Sequence, residues 1–200
     1  IPATRVAGSW DRGYVQSVGG ICSVVGDQLR FYYIGFKGGD PSSYMHSNGA
    51  TGMAVLRRDG FASMSTTGEG SLTTRPVTFS GKYLFVNVNC PAGELKVEIL
   101  DKNNKVIDAF SADKCKAVTV DSTIQQVEWD GGSDLSSLAG QEVKFRFKLK
   151  NGDLYAFWVS PSINGESNGY VAGGGPGYTS NKDTEGKKAY EKASSFQKLF

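Results

Sequence analysis

Few side chains in this 200-residue chain have the chemistry of a reactive or ligand-holding group, and their spacing limits what they can do. The single histidine, His46, lies in a loop with Ser42, Ser43 and Ser47. A serine–histidine pair needs an orienting acid and an oxyanion hole. Neither is visible, so His46 reads as a solvated loop residue. Cys22, Cys90 and Cys115 stand at spacings far from any zinc signature. Cys90 and Cys115 flank strands, and two outcomes are open for them. They are bridged, if their Cα atoms lie within about 7 Å, or they are buried thiols acting as small hydrophobes. Asp130-Gly-Gly-Ser-Asp134 has the oxygens of a calcium loop but lacks its further acidic ligands, so it reads as a turn. Asp59, after Arg57-Arg58, reads as an ion pair fixing a junction rather than as a catalytic carboxylate held ionised by cations. Gly173-Gly-Gly-Pro-Gly177 has no Gly-Lys-Ser/Thr and no strand-to-helix setting, which excludes a phosphate cradle. No metal site and no cofactor are expected.

The aromatic residues carry the best functional argument. Sugar rings present apolar C–H faces that stack on flat side chains. Trp10, Tyr14, Tyr32, Tyr33 and Tyr44 cluster in the first quarter of the chain, beside the polar Asp11, Arg12 and Gln16. Trp10 and Tyr14 are therefore the candidate carbohydrate-binding residues. Trp129 and Trp158 lie inside alternating strands and read as core.

The elements that position these residues are strands. Twenty-six glycines and twenty-three aromatics suit short strands joined by tight turns. A net charge of +2, with basic runs no longer than pairs, excludes an electrostatic case for nucleic acid or for a polybasic membrane patch. No run of 18 apolar residues is present, so no membrane-spanning helix is expected. The chain opens at Ile1 without an initiator Met or a signal peptide, the mark of a processed, trimmed or excised chain.

Alternation of period two recurs along the chain. Val143, Phe145, Phe147 and Leu149 fall on one face, with Lys144, Arg146, Lys148 and Lys150 on the wet one. Asn151-Gly152 follows at once and predicts a hairpin, with Asp153–Val159 as the return strand. Residues 82–88 and 94–100 read as strands separated by a turn at Cys90-Pro91-Ala92-Gly93. Residues 71–79 and 123–129 add further β-rich runs, enough for an antiparallel β-sandwich. Before it, residues 18–25, 28–36 and 52–58 form three strands resembling one blade of a β-propeller. After it, a Gly-rich tail leads to Ala189, Ala193, Phe196 and Phe200 at helical spacing, which predicts a short helix. The expected organisation is all-β: a propeller-blade-like sheet over residues 1–62, a β-sandwich over 63–163, and a Gly-rich tail with a short helix over 164–200.

Gly19-Gly-Ile-Cys-Ser-Val-Val-Gly-Asp27, Leu29-Arg-Phe-Tyr-Tyr33 and Met53-Ala-Val-Leu-Arg-Arg-Asp-Gly-Phe-Ala-Ser63 resemble the closing blade of five-bladed-propeller glycoside hydrolases, those grouped loosely with the invertase/levanase-like and arabinanase-like clans. Gly70–Pro76, Leu84–Val88, Gly132–Gly140 and Asn151–Trp158 resemble the β-sandwich that follows that propeller. The resemblance covers roughly residues 10–178. It implies a secreted, extracellular, carbohydrate-active protein whose paired catalytic carboxylates come from earlier blades, outside this chain. The expected function is a non-catalytic C-terminal portion that braces or covers the propeller, and no catalytic residue is carried over. The expected partners are the missing propeller blades or further copies of the same chain, with carbohydrate as a further candidate, and neither nucleic acid nor membrane. An alternative function is a self-assembling structural (filament or matrix) or carbohydrate-binding protein on the same scaffold, because isolated strand edges pair readily with another chain.

Overall fold

The structure is a computed structural model and describes residues 1–20, 22–39 and 44–197. It is all-β, with two antiparallel sheets and one α-helix among the described residues.

The N-terminal sheet contains β1 (Tyr14–Ser17), β2 (Ser23–Val25), β3 (Gln28–Phe36) and β4 (Gly49–Arg57). β1 and β2 share one edge of β3, and β4 covers the other along its whole length. Of the strand expected over 18–25 only Ser23–Val25 forms; β1 precedes that span, and Gly19, with a positive φ of 74°, turns the chain between the two.

The second sheet contains β5 (Met64–Thr73), β6 (Tyr83–Asn89), β7 (Glu94–Leu100), β8 (Asp121–Gln126) and β9 (Lys144–Ser160). The hairpin expected at Asn151-Gly152 does not form. β9 runs unbroken through it for 17 residues. The two-residue hairpin turn that Asn-Gly favours needs positive φ at both positions. Asn151 has it (43°), Gly152 does not, and the chain kinks without reversing. The turn at Cys90–Gly93 is present, closed by Gly93 N–H donating to the Cys90 carbonyl at 3.1 Å. It joins β6 to β7 in the same direction, and both strands pair antiparallel with β9.

These kinks lie at one level. Asn89 pairs with Asp153 and Glu94 with Lys150, so residues 90–93 stand opposite 151–152. β5 carries its own register shift there, between Thr66 and Glu69. The sheet bends across this line. The extra residues also switch the inward set from Leu84, Val86 and Val88 in β6 to Leu95, Val97 and Ile99 in β7, keeping one continuous core with Phe145, Phe147, Trp129 and Leu135. A one-residue slip would send either set to solvent. Trp129 is buried, as its alternating setting predicts, and its Nε1 donates to the Val97 carbonyl at 3.1 Å.

The outer face of β9 is less wet than the alternation implies. Glu98 is buried there between Arg146 (2.8 Å) and Lys148 (3.2 Å). Burial pushes the Glu98 carboxyl up. Hydrogen bonds and charge from Lys148 and Arg146 outweigh it and hold the group below the usual carboxylate range.

Residues 164–186 fold back over both sheets and lead into α1 (Lys187–Gln197), which buries Ala189 and Ala193. The side chains of Phe196 and Phe200, also expected on that apolar face, lie outside the described residues.

Two outcomes follow from this geometry. A Cβ on Gly93 would overlap the Lys150 carbonyl oxygen, and one on Gly152 would sit 2.6 Å from Cys90 Cβ. Gly93→Ala or Gly152→Ala should therefore cost about 3 kcal/mol or more in urea unfolding, whereas Gly131→Ala, in open space, should stay within about 0.5. For Glu98 the depressed carboxyl makes stability present above the unfolded value near pH 4.3 and lost as pH falls below it. The stability gap between wild type and Glu98→Gln should accordingly be widest near neutrality and shrink below about pH 4. A gap that does not change with pH would refute the ion-pair account.

Candidate interaction surface

The two faces of the N-terminal sheet differ in what covers them. Leu29, Phe31, Tyr33 and Gly35 alternate onto one face of β3, and Arg30, Tyr32, Ile34 and Phe36 onto the other. On the first face, Val24, Leu29 and Leu56 pack with Val171 and Tyr178 of the C-terminal segment. Trp10 seals the far end of that face. Its ring lies tilted over Tyr33 with centroids 5.7 Å apart, the residue stays 39% exposed, and a Cβ on Gly35 or Gly52 would strike it. Asp11 pins this segment by accepting hydrogen bonds from Ser9 (2.6 Å) and Thr4 (2.9 Å). Those bonds, Ser9's above all, hold its carboxyl below the usual range.

The second face is open. Val18, whose N–H donates to the Tyr32 carbonyl, stands in line with Tyr32, Met53 and Val55. These four side chains are 49%, 45%, 46% and 50% exposed. Four neighbouring apolar groups at half exposure on one sheet face form an exposed apolar patch, the candidate interaction surface.

The two carbohydrate candidates do not converge. Trp10 lies on the sealed face, and Tyr14, paired with Phe36, on the open one, packed edge-on against His46 at 4.9 Å. No single sugar ring could stack on both. His46 is exposed in its loop, in ring contact with Tyr14 and Phe36. Ser47 is buried and donates to the Tyr44 carbonyl, while Ser42 and Ser43 lie outside the described residues. All three cysteines are free thiols, so Cys90 and Cys115 are not bridged, and burial pushes both up. Asp134 accepts from the backbone and hydroxyl of Ser136, as a turn residue does. Among the described residues no cluster of His, Cys, Asp or Glu has the arrangement of a metal site.

Arg57 and Arg58 set the surface in place, pointing to opposite sides of β4. Arg57 reaches the second sheet, donating to Asn87 Oδ1 (2.7 Å), the Val88 carbonyl (3.0 Å) and Asp121, with Tyr155 under its guanidinium at 4.7 Å. Arg58 takes the C-terminal segment, pairing at 2.8 Å with Asp183, which is almost fully buried, between the rings of Tyr178 and Tyr190. Asp59, the partner expected from sequence, is exposed and only 3.7 Å from Arg58 Nε. The stronger ion pair spans 125 positions, and nothing local signals it. Burial pushes the phenols of Tyr178 and Tyr190 up, which keeps both neutral against the cation.

No family model, curated protein or solved structure matches the chain.

Because Asp183 also accepts backbone N–H bonds from Glu185 and Gly186, removing its cation strands a buried carboxylate. Arg58→Met should cost about 3–5 kcal/mol and open residues 164–186 to limited proteolysis. A variant as protease-resistant as wild type would show that the ion pair does not hold the segment.

Proposed function

We propose that the chain is the non-catalytic C-terminal part of a glycoside-hydrolase-like, carbohydrate-active protein. Its N-terminal sheet packs against a neighbouring propeller blade, and its second sheet braces that contact. The reading is supported by one observation above all, the asymmetry of the N-terminal sheet. One face is closed by the chain's own Trp10, Val171 and Tyr178, and the other presents Val18, Tyr32, Met53 and Val55 to solvent. A lone sheet with an uncovered apolar face lacks the second layer that a domain needs. With only one face open, the sheet suits the covering of a propeller's last blade better than insertion between two blades.

The rigid mount agrees with a bracing role. Arg57 ties the sheet to β6 and β8, and the buried Asn87 amide donates to the Arg58 carbonyl at 2.6 Å. Load on the open face passes through these bonds into the folded core. In such hydrolases the bond-breaking groups are two carboxylates flanking the glycosidic bond, and the resemblance places those upstream of this chain.

The isolated chain should hydrolyse neither aryl glycosides, fructans nor arabinans. Turnover that survives repurification, and is lost on replacing one acidic residue of this chain, would overturn the reading. In dilute solution, where the chain is monomeric, Met53→Glu and Val55→Glu should each leave its stability within about 0.5 kcal/mol, since both side chains are half-exposed. A loss of about 2 kcal/mol or more would mean the face is already packed within the chain.

A further inference from the structure

The N-terminal sheet has two edges, and among the described residues the C-terminal segment covers the β2 part of one and no strand covers the other. On the β2 side, Val24 N–H donates to the Gly174 carbonyl (2.8 Å) and Gly173 N–H to the Cys22 carbonyl (3.0 Å), so the C-terminal segment extends the sheet there. That edge is also divided into strands of four and three residues. On the other side, β4 keeps nine residues in unbroken register with β3. Arg58 N–H bonds to Asp27 and Lys37 N–H to Asn48. By antiparallel alternation, the even-numbered residues of β4 then bond to β3. The N–H and C=O groups of Gly49, Thr51, Met53 and Val55 point outward, and among the described residues no strand pairs with them.

Proteins blunt such edges with Lys, Pro, bulges or inward-pointing charges. β4 reads Gly-Ala-Thr-Gly-Met-Ala-Val-Leu-Arg and has none of these before its last residue. We propose that the β4 edge binds a second copy of this chain, the two β4 strands pairing antiparallel about a two-fold axis at Met53. This register overlaps the strands along their length up to Arg57, where the turn to Gly60 takes the outward carbonyl. It sets Met53 against its own counterpart, Thr51 against Val55, and Gly49 against Arg57. No like charges meet, because Arg57 opposes a glycine and turns into its own Asn87 and Asp121. The outward pairs are of the hydrogen-bonded kind, and because the Arg57 carbonyl already accepts from Gly60 N–H, they give about eight new backbone bonds. The contact is isologous and closes at two copies. Tyr32, Met53 and Val55 of the two copies then line one continuous surface. The pairing uses the edge and is independent of what covers the open face.

Sedimentation velocity of the full chain across a wide concentration range tests this, comparing wild type with Thr51→Pro and Tyr32→Glu. Thr51→Pro removes an outward N–H that β3 does not use, and should weaken the dimer at least about tenfold with the circular dichroism spectrum retained. Tyr32→Glu, on the face, should leave the dimer intact. Should Thr51→Pro not fold, cysteine placement decides. In a Cys22→Ser background, Met53→Cys should oxidise to a linked dimer and Ala54→Cys should not. A wild type that stays monomeric throughout, a dimer that persists in folded Thr51→Pro, loss of the dimer in Tyr32→Glu, or equal cross-linking at both positions would each overturn the proposal.

Discussion

Three strands bend at one level in the second sheet, and the room for that bend exists only where side chains are missing. Gly93 lies against the backbone of Lys150 and Asn151, and Gly152 against that of Asn89 and Cys90. With a Cβ at either position the strands must separate, and the two halves of β9 can no longer face a common interior. Everything apolar in the second sheet depends on this. The inward residues change parity at the corner, from Val88 in β6 to Leu95 in β7 and from Leu149 to Leu154 within β9. A straight ribbon would leave one half of each set in water, and a core of this size would not form.

The corner also determines what the N-terminal sheet can hold. Next to it the β6 ladder shifts register at Asn87 and Val88, against both β8 and β9. A bulge of this kind leaves backbone groups without a ladder partner. Arg57 uses them, taking the Val88 carbonyl and the Asn87 side chain together. The attachment is therefore made to strands of the second sheet, not to a loop. Arg58, one residue on and pointing the other way, sets the C-terminal segment against both sheets, and Tyr190 of α1 joins it by a 2.8 Å hydrogen bond with Thr123 of β8. Two consecutive arginines thus couple three parts of the chain. Each arginine pairs with at least one buried polar group, so neither can be lost without stranding its partner.

What could be read from sequence follows the range of the interaction involved. Alternation is local, and it identified the buried side of β9 through Val143, Phe145, Phe147 and Leu149, all buried. The same rule misjudged the other side, because the burial of Glu98 between Arg146 and Lys148 depends on a strand some fifty residues away. Asn151-Gly152 was misread for a related reason. The dipeptide permits a hairpin, yet whether Gly152 takes a positive φ is decided by Asn89 and Cys90 across the ladder. The Arg57-Arg58 pair was legible as a junction, but its partners Asp183, Asn87 and Asp121 were not, since nothing local marks them. Trp10 and Tyr14 were legible as aromatic candidates. Their placement on opposite faces required the register of β1 on β3.

The open face and the open edge of the N-terminal sheet have one physical origin. The C-terminal segment that closes the sealed face is also the segment that extends the β2 edge, and it approaches so closely that a Cβ on Gly175 would overlap the Val24 carbonyl. That approach is possible because residues 173–177 are glycine at every position but one. Their backbone reaches the strand without side chains in the way. Nothing equivalent reaches β4 among the described residues. Covering that side would need a second segment as poor in side chains, or a strand whose side chains alternate to either side of the sheet. An extended strand whose side chains alternate would complete the β4 ladder and add an apolar row beside Met53 and Val55 at the same time.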